Sequence, residues 1–182
     1  EDGAQPMWNE DATIAVSFNG EIYNHSALRR ELEAKGHKFA SDHSDTEVLV
    51  HGWEEWAEEL PLKLNGMFAF TIWDSNQKSI FLARDRYGEK PLYWGRQKDT
   101  FFFSSELNAI AAHRKFDVRY SPLALKKYFA HGYIPSPNSA YCDTWKLSPG
   151  HWLRFDLATT NLKIHAYWKF RVDPDPHPPS LD

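Results

Sequence analysis

The amino-acid sequence predicts an α+β fold in which helices cover packed antiparallel sheets. Segments with strand character follow one another in runs, helical segments come in pairs, and few helices separate two strands. Aromatic residues make up 15% of the 182 residues, with eight Trp, eight Tyr and twelve Phe, and such a content suits sheets that pack face to face. The length allows one substantial core and at most a small second unit.

The first predicted strand and the first helix are separated by an Asn-Gly pair. Residues 13–18 (T-I-A-V-S-F) have the composition of a strand, which we expect to end at the Asn-Gly pair that follows. Such a pair is typical of a hairpin turn, yet a helix over residues 26–34 follows in place of a second strand. Gly36 is placed to end this helix in a left-handed conformation, and a short strand over residues 37–40 is expected after it.

The next predicted elements are a capped helix and an antiparallel hairpin. Ser44 and Glu47 have the spacing of a capping box, and apolar residues then fall on one helical face, so the helix should begin at Asp45. Residues 67–73 and 79–84 are strands on either side of a polar turn, which predicts a hairpin. Both of these strands are apolar on both faces, so other elements must cover both sides.

The middle of the chain predicts two more strands and two helices. Residues 85–94 lead into a strand, and a turn over residues 97–100 precedes the next one. We expect these two strands to extend the preceding hairpin into a four-stranded meander. Residues 106–114 and 122–131 have helical spacing.

A proline-containing connector marks the predicted domain edge. The segment G-Y-I-P-S-P-N-S is expected to be extended, since each proline disfavours a helical conformation in the residue before it. We expect a main domain over residues 1–131, a connector with a terminal hairpin over residues 132–172, and a proline-rich linker over residues 173–182. The two strands of the terminal hairpin lie on either side of a turn at residues 159–161.

Composition argues against several classes of function. The formal net charge is -4 and charges of both signs are mixed along the chain, so no basic stripe is available to bind nucleic acid. No apolar run approaches the roughly 20 residues that cross a bilayer, so no membrane partner is expected. The single cysteine, Cys142, excludes an internal disulfide and a cysteine-rich zinc site, and a cytoplasmic location is the default expectation.

Two short segments carry candidate site residues. The side-chain amide of Asn19 and the backbone N–H of Gly20 can aim two donors at one point, as an oxyanion requires in acyl transfer, with a plain turn as the alternative. Glu21 places a carboxylate nearby that could hold an ammonium group. If Ser44 caps its helix, Asp45 is free to join Glu21 in binding a cationic substrate group. We expect all four candidate groups to converge on one cavity.

Three other clusters have simpler interpretations. His37, His43 and His51 are the nearest histidines, but their spacing is not that of a zinc-binding pair on one helix face, so neutral surface roles and no metal site are expected. The segment 84–90 is interpreted as a structural charge cluster in preference to an anion-binding loop. Residues 104–106 (S-S-E) most simply start a helix, with proximity to a substrate pocket as the alternative.

Six short motifs occur in order along the chain. They are F-N-G-E-I-Y-N, S-D-T-E-V, L-N-G-M-F-A-F, A-R-D-R-Y-G-E-K-P-L-Y-W, F-S-S-E-L and the connector G-Y-I-P-S-P…L-S-P-G-H. Together, over roughly residues 5–170, they resemble the glutaminase domain of glutamine-dependent asparagine synthetases. The resemblance implies a class II glutamine amidotransferase with the N-terminal nucleophile hydrolase fold, an αββα sandwich of two antiparallel sheets covered by helices.

The resemblance also implies roles for the candidate residues. Members of the family use an N-terminal cysteine, activated by its own α-amino group, to attack the side-chain amide of L-glutamine, which gives a thioester and ammonia. Asn19 and Gly20 match the oxyanion-hole pair, and Glu21 and Asp45 match the acids that hold the glutamine α-ammonium group. On this interpretation the first strand stops at Asn-Gly-Glu because the active site lies there.

The partners implied by the resemblance are L-glutamine and a C-terminal synthetase domain. Ammonia would pass to that domain, where ATP and magnesium are expected to activate aspartate for amidation. No cofactor is expected within the present chain, because the glycine-rich, serine-rich pyrophosphate loop of the synthetase domain is not in it. A homodimer is one assembly open to the full protein.

The chain departs from the family pattern at its start. It begins at Glu1, whereas the segment Gln5-Pro6-Met7 resembles an interior point of the family sequence, so we expect a fragment that is incomplete at the N-terminus. Without the cysteine nucleophile, the 182-residue chain is predicted to be inactive. Cys142 cannot replace it, since a nucleophile whose base is its own amine must be the first residue. We interpret Cys142 as a small packing residue.

Three alternatives stay open. The chain could be a non-catalytic binding or scaffold module with the same fold. Its parent protein could transfer ammonia to another acceptor, in a secondary-metabolite or polysaccharide pathway. The aromatic content could instead belong to a sugar-binding β module that stacks aromatic rings on pyranose faces.

Overall fold

The computed structural model describes residues 4–172. The linker expected over residues 173–182 lies outside this range. Among residues 4–172, no helix is long and apolar enough to cross a membrane. The strands are β1 (Met7–Trp8), β2 (Ile14–Ile22), β3 (Gly66–Asp74), β4 (Ser79–Arg84), β5 (Tyr93–Gln97), β6 (Thr100–Ser104), β7 (Thr144–Lys146), β8 (His151–Asp156) and β9 (Leu162–Ala166). The helices are α1 (His25–Ala34), α2 (Asp45–Trp56), α3 (Leu60–Lys63), α4 (Leu107–Ala111) and α5 (Pro122–His131), with a 3₁₀ turn at Ala57–Glu59.

The strands form two antiparallel sheets. The large sheet has the order β1-β2-β3-β4-β8-β9, and the small sheet has the order β6-β5-β7. The predicted hairpin of β3 and β4 is confirmed, with Asp74 opposite Ser79. The predicted four-stranded meander is wrong, because β4 pairs next with β8 and the chain crosses to the small sheet before β5.

Helices cover one face of the large sheet and the small sheet covers the other, so the predicted αββα order is confirmed. Leu28 and Leu32 lie four residues apart on α1, so both are buried on the face of the helix that packs against the large sheet. The helix-side core is made of these two leucines with Val16, Ile22, Val48, Leu49, Trp53, Phe68, Phe70 and Phe81. The core between the sheets is made of Ala69, Leu82, Leu92, Trp94, Leu147, Leu153 and Phe155. On the outer side of the small sheet, the core is made of Phe102, Ile110 of α4 and Phe116.

Strand β2 does not stop at the Asn-Gly pair, so the expected strand end is wrong. The strand pairs with β3 through to Ile22, which lies opposite Gly66. A side chain at Gly20 would place its Cβ 2.1 Å from the carbonyl oxygen of Met67, so the glycine permits close pairing of the two strands. The turn comes two residues after the strand, at Asn24, whose amide donates to the carbonyl of Lys63 at 2.9 Å.

Helix α1 ends as its sequence predicts. Gly36 has a φ of +101°, and the amides of Gly36 and His37 donate to the carbonyls of Glu33 and Leu32, which forms a Schellman motif. The strand expected over residues 37–40 is absent from the described chain, which runs there as a loop. In this loop the amides of Ala40 and Ser41 donate to the Glu47 carboxylate, so they are not available for a strand ladder.

Helix α2 begins at Asp45 as predicted, with half of the predicted capping box. The Ser44 hydroxyl accepts the amide of Glu47 at 3.4 Å. The Glu47 carboxylate does not reach back to the Ser44 amide, and binds the loop at Ala40 and Ser41 instead. Burial alone would raise the pKa of Glu47, but the hydrogen bonds from the Ser41 hydroxyl and from the two loop amides outweigh it, and the pKa is lowered.

The later elements follow the predictions with two differences. Helix α5 is confirmed, with the Ser121 hydroxyl accepting the amide of Ala124 and Gly132 in the left-handed conformation. Helix α4 is shorter than the predicted span 106–114. The segment expected as the first strand of the terminal hairpin forms two strands, since β7 joins the small sheet and β8 joins the large one. The division of the chain at residue 131 stays a prediction.

Candidate active site

The candidate site lies along β2, where the strand continues beyond its short pairing with β1. β1 pairs only with Val16 and Ala15, so the rest of β2 has β3 on one side and an open edge on the other. The side chains of Ser17, Asn19 and Glu21 alternate with those that enter the helix-side core. They therefore face the side on which the small sheet packs.

A cavity of about 310 Å³ opens on this face of β2. It lies between the two sheets, with the large sheet on one side and the end of β6 on the other. Its lining consists of Ser17, Phe18, Asn19, Ala69, Thr71, Leu92, Phe103, Ser104 and Ser105. Hydroxyl and amide groups are present at its wall, so the cavity can offer hydrogen bonds to a polar ligand.

The Asn19 side chain is oriented across this cavity by the small sheet. Its Nδ2 donates to the Ser105 hydroxyl at 3.1 Å, a contact between residues 86 positions apart. Ser104, the neighbouring residue, accepts the amide of Glu106 at 3.1 Å instead. The sequence left two roles open for this segment, a helix start and a position near a substrate pocket. Ser104 binds a backbone amide at the start of α4, and Ser105 contacts the candidate site residue Asn19. No local signal assigned Ser105 to Asn19.

The backbone N–H of Gly20 is directed to the open edge of β2. Along an antiparallel strand, alternate residues direct their N–H groups to opposite sides. The amide of Phe18 donates away from β3, to Gln5 Oε1 at 2.7 Å, and the amide of Ile22 donates to Asp45 Oδ2 at 3.0 Å. Gly20 lies between them in the same row, so its donor has the same direction.

Asp45 lies at this edge because it is the first residue of α2. Ser44 caps the helix, which leaves the Asp45 carboxylate to accept the Ile22 amide and, at 3.4 Å, the Thr46 hydroxyl. The sequence-based inference that Asp45 is free from capping therefore agrees with its position beside β2.

Glu21 is exposed and shares the face of Asn19, two residues further along β2. Two strand residues span about 6.7 Å, a separation that an extended glutamine molecule can bridge. The four predicted residues lie along one strand edge, but only Asn19 lines the 310 Å³ cavity. The expected convergence of all four on this cavity is therefore not seen, because the other three lie beside it along β2.

The charged segment 84–90 forms a corner next to the site, in which Asp85 is buried. The Arg84 guanidinium donates to the carbonyls of Gly88, Lys90 and Leu147, each at 2.7 Å. Burial lowers the pKa of Arg84 from its ordinary value, an effect that the charge of Asp85 opposes. Backbone groups, and not ion pairs within the segment, satisfy the arginine, which agrees with the structural interpretation and gives it a mechanism.

Asp85 connects this corner to the site. Its carboxylate accepts the amides of Tyr87, Glu89 and Lys90 at 3.0–3.1 Å, and that of Phe68 at 3.2 Å. Phe68 lies opposite Gly20 in the β2–β3 ladder. The corner therefore holds the strand that pairs with the candidate oxyanion residue.

One of the three histidines, His51, does not have the surface position that the sequence predicted. His51 is 2% exposed, and its ring lies 5.2 Å from that of His37, with Glu54 next to both. The expectation of a surface role is wrong for His51, because the loop after α1 covers this face of α2. His43, in contrast, is exposed, with its Nδ1 next to the carboxylate of Asp42.

Comparison with known proteins identifies the family. A family model described as "Glutamine amidotransferase domain" matches residues 1–168. The chain belongs to this family. The resemblance read from the six motifs is thereby confirmed at the level of the amidotransferase domain.

Several proteins similar to this chain carry the name of glutamine-hydrolysing asparagine synthetases. Asparagine synthetase 3 of Bacillus subtilis is 38% identical over the whole chain, which covers 29% of that relative. Asparagine synthetase 1 of the same organism is 42% identical over 82% of the chain and 23% of the relative, and asparagine synthetase 3 of Arabidopsis thaliana is 50% identical over 60% of the chain and 18% of the relative. The chain spans less than a third of the length of these relatives.

A solved amidotransferase shares the fold. The glutamine phosphoribosylpyrophosphate amidotransferase of B. subtilis matches 92% of the chain, and 32% of its own, with a TM-score of 0.62 and 22% identity. The likeness confirms the predicted sandwich of the N-terminal nucleophile hydrolase type.

Proposed function

We propose that this chain is the glutamine-hydrolysing part of an asparagine synthetase. The proposed reaction converts L-glutamine and water into L-glutamate and ammonia, and the ammonia serves the ATP-dependent amidation of aspartate. The observation that carries the proposal is the arrangement on β2, where the Asn19 amide faces a polar cavity, the Gly20 N–H points to the open edge, and Asp45 is bound to the next amide along that edge. The names of the similar proteins supply the acceptor.

The chemistry assigned to Asn19 and Gly20 is oxyanion stabilisation. Attack on the carboxamide carbon of glutamine converts the carbonyl oxygen into an oxyanion in a tetrahedral intermediate. The Asn19 Nδ2 and the Gly20 N–H donate to that oxygen. The base returns the proton of the nucleophile to the amide nitrogen, and cleavage of the C–N bond releases ammonia and restores the carbonyl. Water then cleaves the acyl intermediate to release glutamate. Ser105 acts through Asn19 as a positioning residue, because it accepts one N–H of the same amide group.

Glu21 and Asp45 are assigned to the other end of the substrate. The Asp45 carboxylate lies at the edge of β2 and the Glu21 side chain lies on the adjacent face, and the glutamine α-ammonium group is the cationic part of the ligand that they can bind. The hydrogen bond from Ile22 fixes Asp45 without neutralising its charge. These two residues are expected to affect glutamine affinity more than the rate of the chemical step.

The nucleophile is not assigned to any described residue. Cys142 is only partly buried, and its Sγ lies 3.5 Å from the carbonyl oxygen of Tyr120, in the loop before β7. An N-terminal cysteine remains the family-based proposal for this role. ATP and magnesium are proposed for a synthetase domain, and cytoplasmic location and homodimer assembly also stay proposals.

A chimera tests the proposed function. The matching segment of the B. subtilis asparagine synthetase 3 is replaced by this chain, and the relative's residues on either side are kept so that they can supply the nucleophile. Asparagine formation is measured with either glutamine or ammonia as nitrogen source. We expect activity with both sources. Activity with ammonia alone would show that the graft folds but does not hydrolyse glutamine, and would favour the non-catalytic alternative. Release of glutamate from glutamine, measured in parallel, assigns the loss to the hydrolytic step.

A further inference from the structure

A cluster of two histidines and a glutamate lies on the helix side of the large sheet, apart from the candidate active site. His51 and Glu54 are three residues apart on α2 and therefore lie on one face of that helix. His37 follows the Schellman motif at the end of α1, which fixes its position in the chain. Helix α2 and the loop after α1 thus bring three ligand-type side chains together.

The two distances from Glu54 to the histidines match the spacing between ligand atoms of a small tetrahedral metal ion. Glu54 Oε2 lies 3.1 Å from His51 Nδ1 and 3.4 Å from His37 Nδ1. One ligand atom from each of these three residues can be chosen so that all lie within 4.8 Å of one another. A tetrahedral Zn²⁺ with bonds of about 2.0–2.1 Å holds its ligand atoms about 3.4 Å apart.

The second nitrogen of each histidine faces a further carboxylate. His51 Nε2 lies 3.7 Å from Glu47 Oε1, and His37 Nε2 lies 3.6 Å from Glu55 Oε2. Histidines that bind a metal commonly direct their other ring nitrogen to a carboxylate, which fixes the tautomer and raises the basicity of the ligand. Both rings therefore have the orientation that an ion bound through Nδ1 requires.

The carboxylate of the third candidate ligand is oriented as well. Asn9 Nδ2 donates to Glu54 Oε1 at 2.8 Å, which leaves Oε2 directed at the two rings. Two further carboxylates, those of Glu47 and Glu55, lie beside the cluster, and Lys35 pairs with Glu55 at its outer side. His51 is almost fully buried within this acidic shell, so the surroundings favour a bound cation.

We propose that His37 Nδ1, His51 Nδ1 and Glu54 Oε2 bind a divalent transition-metal ion of the Zn²⁺ class. Imidazole and carboxylate ligands suit zinc, and three protein ligands leave a fourth position for water. The ion connects the end of α1 to α2, the helix that begins at Asp45. The site rests on the geometry of these helices alone and does not depend on the proposed glutamine hydrolysis.

Titration of the metal-free 182-residue protein with Zn²⁺, followed by calorimetry, tests the proposal. We expect one ion per chain, and a visible absorption spectrum typical of tetrahedral coordination when Co²⁺ replaces Zn²⁺. His37→Ala and Glu54→Gln should each weaken Zn²⁺ binding by at least about tenfold. Excess Mg²⁺ should not compete, since it prefers an octahedral set of oxygen ligands.

His131→Ala is the matched control, because this exposed histidine ends α5 and is not part of the cluster. The control should bind Zn²⁺ like the wild type. His37 is chosen for substitution over the buried His51 because its loss is less disruptive to folding, and Glu54→Gln retains an acceptor for Asn9. Absence of stoichiometric binding, or equal binding by the wild type and both cluster variants, would overturn the proposal. Zinc should also raise the thermal unfolding midpoint of the wild type but not of His37→Ala.

Discussion

The edge of β2 and the corner over residues 84–90 both contain charged and polar residues, but they use them in opposite ways. At the corner, Asp85 is 1% exposed and its carboxylate binds four backbone amides. At the edge, Asn19 and Glu21 are exposed and Asp45 is partly so. The charged groups of the corner are already bound to backbone amides and carbonyls. The edge of β2 still has donors and charged groups that are exposed to a ligand.

This difference separates structural from functional polar residues better than residue type does. Arg84 and Asp85 have the composition of an anion-binding loop, yet three carbonyls and four amides satisfy them. Asn19 has the appearance of a turn residue, yet its side chain crosses to the other sheet. The two regions meet through Phe68, which Asp85 binds and which pairs with Gly20. The corner therefore supports the edge without taking part in its chemistry.

The largest expected effect is the loss of the Asp85 carboxylate. Asp85→Ala leaves four backbone amides without their shared acceptor, one in a buried contact and three in partly buried ones, so we expect the free energy of unfolding to fall by about 3–5 kcal/mol. Urea unfolding measures it. Glu89→Ala, an exposed change in the same segment, should stay within about 0.5 kcal/mol of the wild type. A loss below about 1 kcal/mol for Asp85→Ala would contradict the structural role of the corner.

At the edge of β2, the expected loss is in rate and not in stability. In the active chimera, Asn19→Ala should reduce the glutamine-dependent kcat by about 10²–10³-fold, because one oxyanion donor is removed. The unfolding free energy should change by no more than about 0.5 kcal/mol, as Asn19 is exposed. Ammonia-dependent asparagine formation is the internal control. Equal losses with glutamine and with ammonia would place the defect outside the hydrolytic site.

The contact between Ser105 and Asn19 predicts a smaller effect. Ser105→Ala removes one hydrogen bond that orients the amide, which is worth about 0.5–1.5 kcal/mol, so kcat should fall by up to about tenfold with KM nearly unchanged. Ser104→Ala is the matched control, because that serine binds the Glu106 amide at the start of α4. Equal effects of the two changes on kcat would argue against a positioning role for Ser105.

The smallest expected effect concerns Glu58. Its side chain is less buried than that of Asp85 and less exposed than those of Asn19 and Glu21. Burial would raise its pKa, but hydrogen bonds from Arg154 at 2.9 Å and Lys163 at 3.3 Å outweigh this and lower it. A carboxyl group whose pKa is lower in the folded protein than in the unfolded chain stabilises the fold at pH values above its unfolded-state pKa. This stabilisation is lost as the pH falls through the pKa of the folded state. Glu58→Gln should therefore cost up to about 1 kcal/mol at neutral pH and progressively less below the ordinary pKa of 4.5.

Chemical unfolding at neutral pH and again in acid measures the Glu58 effect. Glu59→Gln provides the control, since the adjacent residue is exposed. A stability difference between wild type and Glu58→Gln that stays constant through the acid range would show that the carboxylate charge is not the cause.

The local elements were largely predictable because their signals lie within a few residues. Ser44 starts α2, Gly36 ends α1, and the polar turn between β3 and β4 makes a hairpin, all as the sequence indicates. The candidate residues on β2 were also found from sequence, through the motif that contains Asn19. In each case the interacting groups are neighbours along the chain, so composition and spacing describe them.

The tertiary structure decided which distant groups meet. The chain leaves the large sheet after β4 and returns as β8, and Arg84 reaches Leu147, 63 positions away. The Glu47 carboxylate binds the loop before α2 and not the predicted cap position, and His51 is buried beside His37 and Glu54. For each of these side chains the sequence contains several possible hydrogen-bond or ion-pair partners. Only the folded structure shows which of them lies within reach.

By itself, the sequence determined the fold class, the ends of the main helices, the family and the strand that carries the candidate site. The tertiary structure alone decided that β2 continues past Gly20, that Ser105 binds Asn19, and that two histidines share a glutamate. The physical reason is that caps, turns and amphipathic faces depend on near neighbours. Strand order and side-chain partners depend instead on which of many distant surfaces the folded chain brings into contact.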